Sequence, residues 1–321
     1  MAPWLTVVGT LVLCGLVSGV AGQSANSQGD CSTIDVSYQV ADIKPKSLRR
    51  RGRGETHVAV TNHKTGTVLS FCICTALPLS KCIKSEGHDG SEFRIGTYGI
   101  NFARDPFRIM ASAYFYHLNT TESWANAPIQ QSYHDGVTQA LRAYNAWCHP
   151  DKPEISMDRT STFSTVMRSL PMKYGLILEA LMLVDVNMGN MMTATHRCAA
   201  VQERASQLEG DKAGGCVTVL LDEIMADYPK AWTSVLAPAF HIPADKANNT
   251  AQRFEQRCNP KAVVSAEGNH ELKDAQQHHA TSYGTERLEA LEILEEIDAE
   301  FFGGTLQKAK DDLNKLATHI E

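Results

Sequence analysis

In its last quarter the chain reads VVSAEGNHELKDAQQHHA, residues 263–280. Asn269 and His270 are residue types that ligate transition metals through an amide oxygen and an imidazole nitrogen. If the segment is helical from Asn269 onward, His270, Asp274 and His278 stand at i, i+4 and i+8 on one face. A rise of 1.5 Å per residue then separates the two histidines by about 12 Å, so one ion cannot reach both. A pair such as His270 and Asp274 could supply two ligands, with the others coming from elsewhere in the fold. The same residues also make a helix entry, with Asn269 as N-cap and Glu271 favoured by the positive end of the dipole.

Gly268-Asn269-His270-Glu271 resembles one block of the calcineurin-like metallophosphoesterases, and the resemblance implies Asn269 and His270 as ligands of a two-metal centre. Those enzymes also carry an Asp-x-His block and a Gly-Asp-x-x-Asp block, because two metals need several carboxylate and imidazole ligands. No Asp-x-His occurs here, and Gly210-Asp211 is followed by Lys212-Ala213-Gly214. The likeness therefore stops at one tetrapeptide and assigns no family. A Gly-x-Ser-x-Gly elbow, His-Glu-x-x-His, a Walker loop and Gly-x-Gly-x-x-Gly are all absent from the sequence. A Ser/His/Asp triad needs no proximity in sequence and stays open. No cofactor is implied.

The elements that would have to position such residues begin with MAPWLTVVGTLVLCGLVSGVAG, residues 1–22. Its apolar run from Leu5 to Val20 and the small residues that follow read as a signal peptide cut near Ala21 or Gly22. An uncleaved anchor is the alternative, although the run is short for a span of about 20 residues. The expected location is extracellular, reached through the secretory pathway, with no transmembrane anchor after cleavage. Of nine cysteines, Cys14 lies in the leader, leaving Cys31, Cys72, Cys74, Cys82, Cys148, Cys198, Cys216 and Cys258. An even set in an exported chain points to disulfides rather than a zinc knuckle, since no spacing completes one. Two sequons, at Asn119 and Asn248, fit a glycoprotein.

The chain has 321 residues, 43% hydrophobic and 21% charged, enough to bury a substantial core. Its net charge of −6 is unevenly spread: six basic and three acidic groups precede residue 54, and 24 basic and 33 acidic groups follow. An acidic body repels phosphate backbones, so nucleic acid is not an expected partner. The basic groups are concentrated in KPKSLRRRGR, where Arg50 to Arg53 match the Arg-x-x-Arg pattern of furin-like processing. A solvated loop and a polyanion-binding patch are the alternatives.

The periodicities predict an α+β, predominantly helical fold. Residues 1–22 are the signal peptide and 23–53 a polar, basic leader or pro-segment. The leader's STIDVSYQV alternates as one strand. Residues 54–118 form a small disulfide-bearing region in which THVAVTNH and GTVLSFCIC read as a β-hairpin. Residues 119–321 read as a helical region sharing that core, with helices from about Pro128, from Met172 towards Leu208, and at 230–237 and 244–258. Leu288, Leu291, Leu294, Ile297 and Phe301, then Leu306, Ala309, Leu313, Leu316 and Ile320, predict a C-terminal helical hairpin broken at Gly303-Gly304. Met182, Met188, Met191 and Met192 read as core filler rather than as an adaptable binding face.

Together these features predict a secreted, disulfide-stabilised binding protein whose partner is a protein or small ligand outside the cell. The sequence leaves its oligomeric state open. The alternative is a secreted hydrolase, metal-dependent through His270 and its neighbours. Cleavage after Arg53 would separate Cys31 from the other cysteines unless a disulfide tethers it. Non-reducing and reducing gels of the secreted protein resolve this: a nicked, tethered leader leaves the chain only after reduction, and an uncut loop gives one band under both conditions.

Overall fold

The computed structural model describes residues 33–34, 36–44, 48, 56–62, 64–76, 82–120, 122–129, 135–155, 158–208, 214–259 and 284–320. The chain is mostly helical around a small parallel sheet. Four strands, β1 (Thr56–Thr61), β2 (Cys82–Glu86), β3 (Thr97–Ala103) and β4 (Gly215–Leu220), lie in the order β2-β1-β3-β4, every neighbouring pair parallel. In the central ladder His57 lies opposite Tyr98 and Val60 opposite Asn101; Asn101 in turn lies opposite Thr218 of β4.

Parallel strands need crossovers, which usually cover both faces of the sheet with helices. One face carries Ala59, Tyr98, Ile100, Phe102 and Val219. It packs on α1 (Thr67–Ala76), α8 (Leu221–Ala226), the helical run Tyr228–Ala239 containing α9 and α10, and α11 (Ala244–Cys258). Trp232, fully buried, anchors this layer by donating Nε1–H to the Ala247 carbonyl at 3.0 Å and stacking on Phe254. The opposite face carries Val58, Val60 and Cys216, packed on Phe93 and on Ala194, Cys198 and Val201 of α7 (Gly189–Ser206). Gly99 has no side chain because a Cβ there would sit 2.8 Å from the Phe93 ring and 2.9 Å from the Cys216 sulfur.

Three disulfides tie helices to this frame: Cys72–Cys258 joins α1 to α11, Cys74–Cys82 joins α1 to β2, and Cys198–Cys216 joins α7 to β4. Cys148 is disulfide-bonded as well.

The β3 to β4 crossover is a helical block: α2 (Pro106–Asn119), α3 (Ser123–Asn126), α4 (Asp135–Ala146), α5 (Phe163–Ser169), α6 (Met172–Leu183) and α7. Asp105 caps α2 by accepting from the Phe107 amide, with Pro106 opening the first turn. Pro171 stands at the N-cap of α6, and α6 runs into α7 through a π-helical turn at Val184–Met188. The methionine cluster 182, 188, 191 and 192 is buried core. The C-terminal hairpin forms from α12 (Gly284–Glu300) and α13 (Thr305–Leu316), turned by Gly303 and Gly304 at positive φ. Buried Asp298 holds the turn by accepting from the Leu306 and Gln307 amides at 2.8 and 2.9 Å.

Three expectations are corrected. GTVLSFCIC is helix α1, not the second arm of a hairpin, and the strand that does follow pairs parallel to β1. The helix places Cys72 and Cys74 towards two different bonding partners, which a strand facing β1 would not offer. Second, the sheet is not confined to the N-terminal region, because GCVTVL supplies strand β4. Third, the described residues of STIDVSYQV belong to no strand. The segment buries Ile34 and Val36 as a strap, with Ile34 N–H donating to the Phe301 carbonyl at 2.9 Å and Thr305 Oγ1 donating to the Val36 carbonyl at 3.0 Å.

On α12, Leu294 is fully buried and Leu288 is 62% exposed. Leu294→Ala is expected to cost about 2–5 kcal/mol in denaturant unfolding, and Leu288→Ala less than about 0.5 kcal/mol. Equal costs would mean that the hairpin does not pack on the helical body as described.

Candidate functional site

In an open parallel sheet, ligands bind outside the carboxyl ends of the strands, where the strand order reverses. Here the chain leaves β1 towards β2 and leaves β3 towards β4, so the reversal lies between β1 and β3. The residues just beyond those two strand ends form a charged assembly.

After β1 the chain turns sharply. Asn62 N–H donates to Thr65 Oγ1 at 2.6 Å, Thr65 N–H donates to the Asn62 carbonyl at 3.0 Å, and Lys64 takes φ of 61°. A left-handed lysine is unusual and marks a turn imposed by its surroundings. That turn sets the Lys64 ammonium 3.0 Å above the centre of the Tyr116 ring. Burial, opposed by the nearby Glu122 and Glu179 carboxylates, lowers the Lys64 pKa to about 8.

After β3 comes Arg104, a tenth exposed, whose guanidinium spans two elements. It pairs with Asp222 of α8 at 3.2 Å and donates to the Lys64 carbonyl at 3.4 Å. Arg108, half exposed on α2, reaches the same Asp222 oxygen at 3.5 Å and carries the cluster to the surface.

Deeper in, Tyr116 donates its hydroxyl to Glu122 at 2.5 Å, and Trp124 donates its indole N–H to the same carboxylate. Trp124 packs edge-on against His117, whose Nδ1 lies 2.8 and 2.9 Å from the two oxygens of Glu179 on α6. Both members of this pair are fully buried. A carboxylate and an imidazole removed from water hold each other in place, and loss of either partner strands the other. Asn62, 1% exposed, offers an amide whose oxygen and nitrogen have no hydrogen-bond partner among the described residues. Such groups normally find a partner in the protein or in ordered water.

The cluster thus runs without a break from Arg108 at the surface, through Asp222, Arg104, Lys64, Tyr116 and Glu122, to the His117–Glu179 pair. It offers donors, acceptors and an amine that is partly neutral near pH 8. That combination can orient a small polar molecule and take or give a proton.

The residues singled out by sequence lie elsewhere. His270, Asp274 and His278, together with Asn269, are outside the described residues, as are Arg50, Arg53 and Cys31. No group of three or more His, Cys, Asp or Glu able to hold a metal occurs among the described residues. Asn119 and Asn248 are exposed at the surface, on α2 and α11. Sequence reading missed Asn62, Lys64, Arg104, Tyr116, His117, Glu122, Glu179 and Asp222. The available signal was positional: Asn62 and Lys64 follow THVAVT, and Arg104 follows TYGINFA. Recognising both as parallel strands would have marked the residues after them.

No protein family, curated protein or solved structure matches the chain.

Lys64 gives a pH signature. Its folded pKa lies below the unfolded value, so between about 8 and 10.4 the unfolded chain binds more protons and stability rises with pH. Tyrosines act oppositely above about pH 10, because partly buried Tyr38 and buried Tyr114, Tyr144 and Tyr228 are all raised by desolvation and stay protonated in the folded chain. Between about pH 8 and 9.5, stability relative to Lys64→Met is expected to increase for the wild type. A constant difference across that window would place the ammonium in water.

Proposed function

We propose that the protein is an exported, disulfide-stapled binding protein whose small polar ligand sits at the carboxyl ends of β1 and β3. The observation that carries this reading is the position of Lys64, Arg104 and Asn62 at the reversal of strand order, where the fold leaves backbone ends and charged side chains together. The apolar leader, the paired cysteines and the two exposed sequons support secretion as a glycoprotein. The basic run ending at Arg53 supports processing there. The ligand's class follows from the wall chemistry: Arg108 and Lys64 suit an oxyanion, and Glu122 suits a donor such as an amine or hydroxyl.

A hydrolase is the second reading, favoured by the buried His117–Glu179 pair near an amine whose pKa is lowered to about 8. A metal-dependent form would draw on His270.

Two measurements separate the readings. In a thermal-shift panel of small carboxylates, phosphates and amino acids, at least one compound is expected to stabilise the wild type and to lose most of its effect in both Lys64→Met and Asn62→Ala. Retention in both variants places binding elsewhere. Metal analysis of protein purified without chelator, with His270→Ala as control, tests the alternative: stoichiometric metal lost in that variant would overturn the pure binding reading.

A further inference from the structure

At the opposite, amino-terminal edge of the sheet lies a cavity of about 360 Å³, separate from the cluster described above. One wall is a ladder of rings. Tyr98 of β3 stacks on His57 at 5.6 Å between centroids and on His241 at 5.2 Å, the latter pair within 10° of parallel. Tyr98 and His57 are buried, and His241, exposed, is the outermost ring and lines the cavity.

His241 takes φ of 57°, a conformation that costs a side-chain-bearing residue of order 1–3 kcal/mol unless the surroundings hold it there. Its amide donates to the Pro238 carbonyl at 2.9 Å, which fixes the turn. A glycine would make that turn without strain, so the turn alone does not call for a histidine. The second wall is bare backbone at Gly214-Gly215. Gly214 takes φ of 70°, and a Cβ there would lie 2.3 Å from the Thr97 oxygen, so this position excludes a side chain. Ser234 and Thr318 add hydroxyls to the rim, and the lining holds no carboxylate, lysine or arginine among the described residues. The lining thus combines the Tyr98 and His241 rings with the aliphatic Val217, Val235 and Pro238 and with hydrogen-bonding groups at the edge, and the volume is that of a small-molecule pocket.

We propose that this cavity is a second binding site, for a planar heteroaromatic ring such as a nucleobase or an indole, which stacks on His241 as the next ring of the ladder. Offset stacking supplies the attraction, and Ser234 and Thr318 meet the ring's polar edge. The strained φ is the consequence of keeping an aromatic side chain where the turn favours glycine.

The test uses the full secreted protein with adenine, cytosine and indole as probes, read by saturation-transfer NMR and by thermal unfolding. At least one probe is expected to bind saturably with a dissociation constant of about 0.1–1 mM. His241→Gly should unfold at the same or a higher temperature and bind that probe about tenfold more weakly. Ser234→Phe, which fills the cavity and leaves His241 in place, should also abolish binding. The proposal is overturned if no probe binds saturably up to about 5 mM, if both variants bind as the wild type does, or if His241→Gly lowers stability and leaves affinity unchanged.

Discussion

Parallel strands cannot be joined by tight turns, so each strand of this sheet must be followed by a crossover long enough to return to the same edge. That constraint shapes the chain. It puts α1 between β1 and β2, and it lets the β3 to β4 connection grow into the helical block that supplies most of the hydrophobic core. Because helices lie on both faces, every residue of β3 is buried and β1 is buried from His57 onward. The outer strands are less covered, and β2 (CIKSE) keeps polar residues at the surface. The same constraint brings all strand ends of one kind to one edge, which is why Asn62 and Arg104, 42 positions apart, fall side by side.

The polar centre depends on that frame more than on local sequence. Lys64 is held by the turn after β1, Arg104 by the end of β3, Asp222 by the helix after β4, and His117 and Glu179 by two helices of the crossover. Each charge is compensated across elements distant in sequence, with Arg104 and Asp222 separated by 118 positions. Removing any one element would leave charges buried without partners, a large penalty in a low-dielectric interior. The disulfides stiffen the frame on both faces, closing loops of 186 residues through Cys72–Cys258 and 18 through Cys198–Cys216.

Much of the helical layout was legible because long amphipathic segments carry a strong period. The break at Gly303-Gly304, the helix at 244–258 and the start at Met172 after Pro171 were all readable. The sheet was not. GTVLSFCIC combines β-branched, aromatic and cysteine residues in a short apolar run, the case in which strand and helix cannot be told apart by period. Its helical state is set by tertiary context: Leu69 and Ile73 bury against the sheet while the cysteines reach α11 and β2. STIDVSYQV failed differently. Its alternation correctly marked Ile34 and Val36 as inward-facing, but a period of two records one buried face and not a ladder partner. Once the parallel order was missed, nothing directed attention to the residues after THVAVT and TYGINFA. The tetrapeptide at 268–271, by contrast, carries explicit local chemistry.

The central claim is that the charged cluster at the carboxyl ends of β1 and β3 is a partly desolvated ligand site. It is tested most directly by an isotope-edited NMR titration of the Lys64 side-chain nitrogen, alone and with a saturating small polar ligand. The expected result is a midpoint near 8 in the free protein that moves when the ligand is bound. A midpoint near the ordinary lysine value of about 10.4, unmoved by any ligand that binds, would contradict it.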